Sequence, residues 1–120
     1  MDPAVRAASL EHIVRYLLSV RPIEGAMVLN SAGDVLAGSM PDGSDPQAIA
    51  RDCRALLDAG AEAAASSDDL VRVDIRGTKG STVVVRIGDD MILAVRTATR
   101  TPESVSLEIS RAAAELERLA

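Results

Sequence analysis

At 120 residues, 48% apolar and 26% charged, the chain has the size and composition of one globular domain and lies outside the low-hydrophobicity range of disordered segments. It has no Phe, no Trp and one Tyr, so its core must come from Val, Ile, Leu, Ala and Met, and it lacks the aromatic platforms on which single-stranded nucleic acid stacks. A net charge of −5 and a pI near 4.8 oppose phosphate-backbone binding, which needs a basic footprint.

Asp2-Pro3 sets a capping side chain before a proline suited to the first helical position. Leu10, Ile13, Val14, Leu17 and Leu18 then recur at helical spacing until Pro22, which predicts a first helix over about 3–19. From Ile23 to Ser31 the period falls to two, with Ala26 and Val28 on one side and Met27 and Leu29 on the other. The turn Ser31-Ala32-Gly33-Asp34 leads into a returning strand from Val35 to Met40, which completes a hairpin.

Pro41-Asp42-Gly43-Ser44 breaks the sheet, and Asp45-Pro46 repeats the cap-and-proline start for a second helix reaching about Ser67. Its apolar stripe is Ile49, Cys53, Leu56, Leu57, Gly60 and Ala64, while Arg51, Arg54, Asp58 and Glu62 share the opposite side. Three strands follow, Leu70–Arg76, Ser81–Ile87 and Met91–Ala98, joined by Gly77-Thr78-Lys79-Gly80 and Gly88-Asp89-Asp90. Connections this short imply an antiparallel meander.

The first of these strands alternates Val71, Val73 and Ile75 with Arg72, Asp74 and Arg76, as a strand with one less buried face should. The other two are apolar on both faces, at Val83-Val84-Val85 and Met91-Ile92-Leu93-Ala94-Val95, which assigns them to the sheet centre with helices on both sides. Thr101-Pro102-Glu103 reads as a third capped proline start, and Val105, Ile109, Ala112, Leu116 and Leu119 carry a final amphipathic helix. The expected order is α-β-β-α-β-β-β-α in one domain, residues 1–120, without repeat or linker.

Chemistry-bearing residues are few. His12, the one histidine, falls at the border of the first helix's apolar stripe and reads as a surface or edge residue rather than an acid or base. Cys53, the one cysteine, lies on the buried stripe of helix two, where a thiol behaves as a small hydrophobe, and it has no partner for an internal disulfide. Gly77-Thr78-Lys79-Gly80-Ser81 has the composition of a phosphate loop but joins two strands and lacks the required spacing. Asp89-Asp90 lacks the further oxygens a calcium ion needs.

No catalytic residue, cofactor site or metal site is therefore expected, and the reading is a binding protein rather than an enzyme. The start of the chain has no cationic segment followed by an apolar stretch, and no run approaches the roughly 20 apolar residues that span a bilayer. The expected compartment is the cytoplasm.

Residues 70–100 hold six basic and three acidic side chains, a local +3 within a chain of −5. One reading is a basic sheet edge that steers an acidic partner. The other is that outward strand positions simply take polar residues.

The element order, with Ile23-Glu24-Gly25-Ala26-Met27-Val28 followed by Ser31-Ala32-Gly33-Asp34-Val35-Leu36-Ala37, resembles the Roadblock dynein light-chain family. The alanine-rich central helix, the run Gly88-Asp89-Asp90-Met91-Ile92-Leu93-Ala94-Val95 and the closing amphipathic helix extend the resemblance over nearly the whole chain. It implies an α+β, profilin-like sandwich: a five-stranded antiparallel sheet with helices on both faces. It also implies dimerisation, with itself or a paralogue, through edge strands and central helices, and service as a non-catalytic platform or co-regulator for small Ras-like GTPases, in the manner of prokaryotic members.

The residues support dimerisation independently. A regular strand from Val71 to Arg76 carries no proline to blunt an open edge. Gly60, Ala61 and Ala64 would let a second helix approach, although alanine also simply favours helix. The expected dimer interface is Leu57, Gly60, Ala61, Ala64, Val71, Val73 and Ile75, and the expected partner-binding surface is Arg51, Arg54, Asp58 and Glu62. The rival reading is a sensor holding a small ligand between sheet and helix, against which the strands offer no inward polar cluster.

Overall fold

The Asp2 carboxylate accepts a 2.8 Å hydrogen bond from Ala4 N and Pro3 takes the first helical position, so helix α1, Pro3–Leu18, opens as its capping sequence dictates. The computed structural model describes residues 2–41, 45–64, 72–78, 80–99 and 102–120, with the side chains of residues 61, 63 and 64 excepted. Helix α2, Pro46–Ala64, starts the same way, with Asp45 Oδ1 accepting from Gln47 N at 3.1 Å. Helix α3, Glu103–Leu119, has Pro102 at its cap in an extended conformation, with no capping side-chain hydrogen bond among the described residues. Thr101 lies outside the described residues.

The strands are β1 (Ile23–Asn30), β2 (Val35–Ser39), β3 (Arg72–Gly77), β4 (Gly80–Ile87) and β5 (Met91–Thr97), all antiparallel in the order β2-β1-β5-β4-β3. The doubly apolar runs lie inside the sheet, in β4 and β5, as read from their patterning. The alternating strand β3 lies at an edge. Leu70 and Val71, with which that strand was expected to begin, lie outside the described residues.

Period two divides the core. Ala26, Val28, Val83, Leu93 and Val95 turn to one face, where α1 and α3 cover them with Val14, Leu17, Ile109 and Leu116. Met27, Leu29, Val84, Ile92 and Ala94 turn to the other face, where, among the described residues, α2 packs through Ala50, Cys53 and Leu57. Each large aliphatic side chain taken fully from water contributes about 1.5–3 kcal/mol, so the two-helix face holds most of the stability. Clefts open between α2 and the sheet.

Gly38 fits α1 to the sheet. Its φ of +85° lies in the left-handed region, and a Cβ there would stand 2.1 Å from Ala26 O and 2.5 Å from Val14 Cγ1. Only glycine lets β2 pass this close beneath the helix.

Candidate interaction surface

Strand β3 ends the sheet, so the backbone groups on its outer side pair with no strand among the described residues. Val73 and Ile75 are half-buried on the α2 face, and Val73 packs beside Cys53 and Leu57. Arg72, Asp74 and Arg76 take the alternate positions. Arg72 is held on the α3 side, donating to Asp74 Oδ1 at 2.7 Å and to Ser106 Oγ at 2.8 Å. The polar side chain thus folds away from the strand's open edge.

On α2 the four expected partner-binding residues, Arg51, Arg54, Asp58 and Glu62, are all exposed. Three of them divide into two groups. Arg51 pairs with its neighbour Asp52 at 3.5 Å, far into solvent. Arg54 donates to Ser31 O at 3.2 Å and Asp58 meets Arg86 at 3.8 Å, so both lean over a cleft of about 600 Å³. The β1–β2 and β4–β5 turns close that cleft, with Ser31 donating to Asp90. The sequence could not show this, because Ser31, Arg86 and Asp90 reach the helix only through the sheet's pairing.

Leu57 requires correction as a dimer-interface residue. It is 1% exposed and packs on Val84 and Ile92, so it faces this chain's own sheet. Gly60 is half-buried; the side chains of Ala61 and Ala64, like Val71 as a whole, lie outside what the structure describes. The small residues that do face outward are Ala55 and Ala59, which sit off the apolar stripe and so carried no signal in the spacing.

A second cavity of about 300 Å³ opens under the first half of α2, between Ile49 and Cys53 and the sheet. A partly exposed polar group lies at its mouth. Arg96 donates to Glu24 Oε1 at 3.4 Å and to Thr82 Oγ1 at 3.1 Å, on the α2 face of the sheet. The cause is an irregularity in β1: Ile23 pairs with Thr97 and Gly25 with Arg96, so Glu24 is an extra residue swung toward Arg96. Cys53 borders this cavity with its thiol pushed up to about 11, by burial first and the Asp52 carboxylate second. It is therefore a neutral thiol at physiological pH, as its place on the apolar stripe implied.

The basic meander does not form one charged edge. Arg72, Arg86 and Arg96 are each ion-paired, with Asp74, Asp58 and Glu24; Arg72 lies on the α3 side of the sheet and Arg86 and Arg96 on the α2 side. Lys79 and Arg100 lie outside the described residues. His12 is exposed on α1. Strands β3 and β4 pair as far as Gly77 and Gly80, so the glycine-rich segment connects two paired strands. Among the described residues, no group of three or more His, Cys, Asp or Glu side chains could hold a metal ion, and no helix is long and apolar enough to cross a membrane.

The Roadblock/LC7 domain model matches residues 10–97. No curated protein matches the sequence. Among solved structures, MglB of Myxococcus xanthus superposes with a TM-score of 0.78 at 17% identity, over 94% of this chain and 88% of that one. The gliding protein MglB of Thermus thermophilus gives 0.73 at 19% identity, over 100% and 92%. Profilin IB of Acanthamoeba castellanii gives 0.59 at 17% identity, over 91% and 97%. The architecture is accordingly the profilin-like sandwich, three helices about a five-stranded antiparallel sheet.

Proposed function

The chain belongs to the Roadblock/LC7 domain family, and from that premise we propose that it is a non-catalytic, dimeric regulator or scaffold that binds a small Ras-like GTPase in the cytoplasm. The observation that carries this reading is the outer edge of β3, unpaired among the described residues, beside helix α2. Two copies, or one copy and a paralogue, joined through β3 would continue the sheet across a two-fold axis and set their α2 helices side by side. Ala55 and Ala59 give those helices room to approach. Val73 and Ile75 would extend the apolar layer across the join.

In that assembly Arg51, Arg54, Asp58 and Glu62 stand beside the axis in two copies, forming one surface of mixed charge. Such a surface favours a partner with complementary charges and sets its orientation and capture rate more than its affinity. The Arg54 cleft gives the surface relief. The test is calorimetric titration with the Ras-like GTPases encoded in the same genome, each loaded with GDP or a non-hydrolysable GTP analogue. One of them should bind in a nucleotide-dependent way and lose binding to a folded Arg54→Glu, Asp58→Lys variant. If none binds in either nucleotide state, the GTPase reading fails.

A further inference from the structure

The cavity under the first half of α2 shares no lining residue with the Arg54 cleft. Its walls are Met40, Pro41, Ile49, Cys53 and Ala94, and its polar groups are Glu24, Thr82 and Arg96. We propose that it is a binding site for a small neutral molecule with a short apolar body and a head group that both donates and accepts hydrogen bonds, such as a primary amide.

Size sets the first limit. At about 300 Å³ the cavity is at the lower end of the roughly 300–1,000 Å³ range of small-molecule sites. Apolar walls with a few convergent polar groups are the usual composition of such a site. The polar groups are fixed by one another, since Arg96 is held by Glu24 at 3.4 Å and by Thr82 at 3.1 Å. A ligand therefore meets a preorganised acceptor and donor rather than ordering two free side chains.

Charge sets the head group. Glu24 and Arg96 offset each other at the mouth, with side chains 38% and 35% exposed. The Cys53 thiol beside them is uncharged at neutral pH. A net charge brought in between them would lose water without an unmatched partner, a cost that a neutral dipole avoids. An amide can donate to the Glu24 carboxylate while accepting from the Arg96 guanidinium.

Two departures from regular structure shape this space. The irregularity in β1 swings Glu24 to the α2 face. Gly25 lets the chain after β2 fold over it, because a Cβ there would stand 2.6 Å from Pro41 Cδ and 2.8 Å from Met40 Sδ. Met40 thereby becomes a wall of the cavity.

Three probes with one apolar body test the assignment by amide-resolved NMR on the whole chain: isovaleramide, isovalerate and isopentylammonium. Isovaleramide should give saturable shifts centred on Cys53, Thr82, Ala94 and Arg96, and the two charged probes should bind at least about tenfold more weakly. Cys53→Met, which fills the cavity, should abolish the shifts; if it does not fold, Ile49→Phe at the rim serves instead. The proposal is overturned if none of the probes gives a saturable shift at those residues. It is equally overturned if a charged probe binds as well as the amide, or if a folded, filled variant retains the shifts.

Discussion

Arg72 and Asp74, two residues apart on the edge strand β3, grip each other in a fork, Nε to Oδ1 at 2.7 Å and Nη2 to Oδ2 at 3.0 Å. The pair lies on the α3 side of the sheet, with Arg72 reaching on to Ser106. Long charged side chains commonly guard an exposed strand against pairing. Here Arg72 and Asp74 are tied to each other on one face, away from the backbone edge.

That pair is partly solvated, so its own worth is small. Asp74→Ala should lower the unfolding free energy by less than about 1 kcal/mol in urea titration. Its self-association should stay unchanged, because the side chain points along a face and not across the join. A loss of several kcal/mol would show the fork to be a structural clasp.

Gly38 is a position where the fold tolerates no side chain. Gly38→Ala forces an unfavourable φ and a collision with Ala26 O and Val14, and should cost at least about 2 kcal/mol. Gly77→Ala provides the contrast, since the nearest atom its Cβ would meet is a carbonyl oxygen at 3.3 Å and no positive φ is involved. Urea midpoints of the two variants should differ clearly.

The strands and helices were legible because period two and period 3.6 are written directly in the apolar residues. Ala26 and Val28 against Met27 and Leu29 already separate the two faces of the sheet that the folded chain separates. The helix α2 surface was legible for the same reason. Leu57 was misassigned because a buried stripe looks alike whether it meets its own sheet or a second chain. The Glu24–Arg96–Thr82 cluster was hidden because strand register brings together residues up to 72 positions apart, and an irregularity in β1 reverses the face that strict alternation gives Glu24.

Cys53 makes stability fall at alkaline pH. Its thiol is raised from the ordinary 9.0 to about 11, so the folded chain holds the proton more tightly than the unfolded chain. The corresponding stability is fully present below pH 9.0 and is lost as pH rises through 9.0 toward 11, by about 2–3 kcal/mol in total. Urea titrations of the wild type and Cys53→Val between pH 8 and pH 11 check this: the difference between them should shrink or reverse in favour of valine as pH rises. Parallel curves would mean that the thiol is not protonated by burial.

The most direct test of the central claim is the mass of the purified chain by size exclusion with light scattering over a range of concentrations. The account predicts twice the 12.5 kDa of one chain, and a shift to the single-chain mass in Ile75→Lys, which sets like charges on both edge strands while leaving the circular dichroism spectrum unchanged. A wild-type chain that stays at 12.5 kDa at the highest concentration would contradict it. So would an Ile75→Lys variant that dimerises as the wild type does.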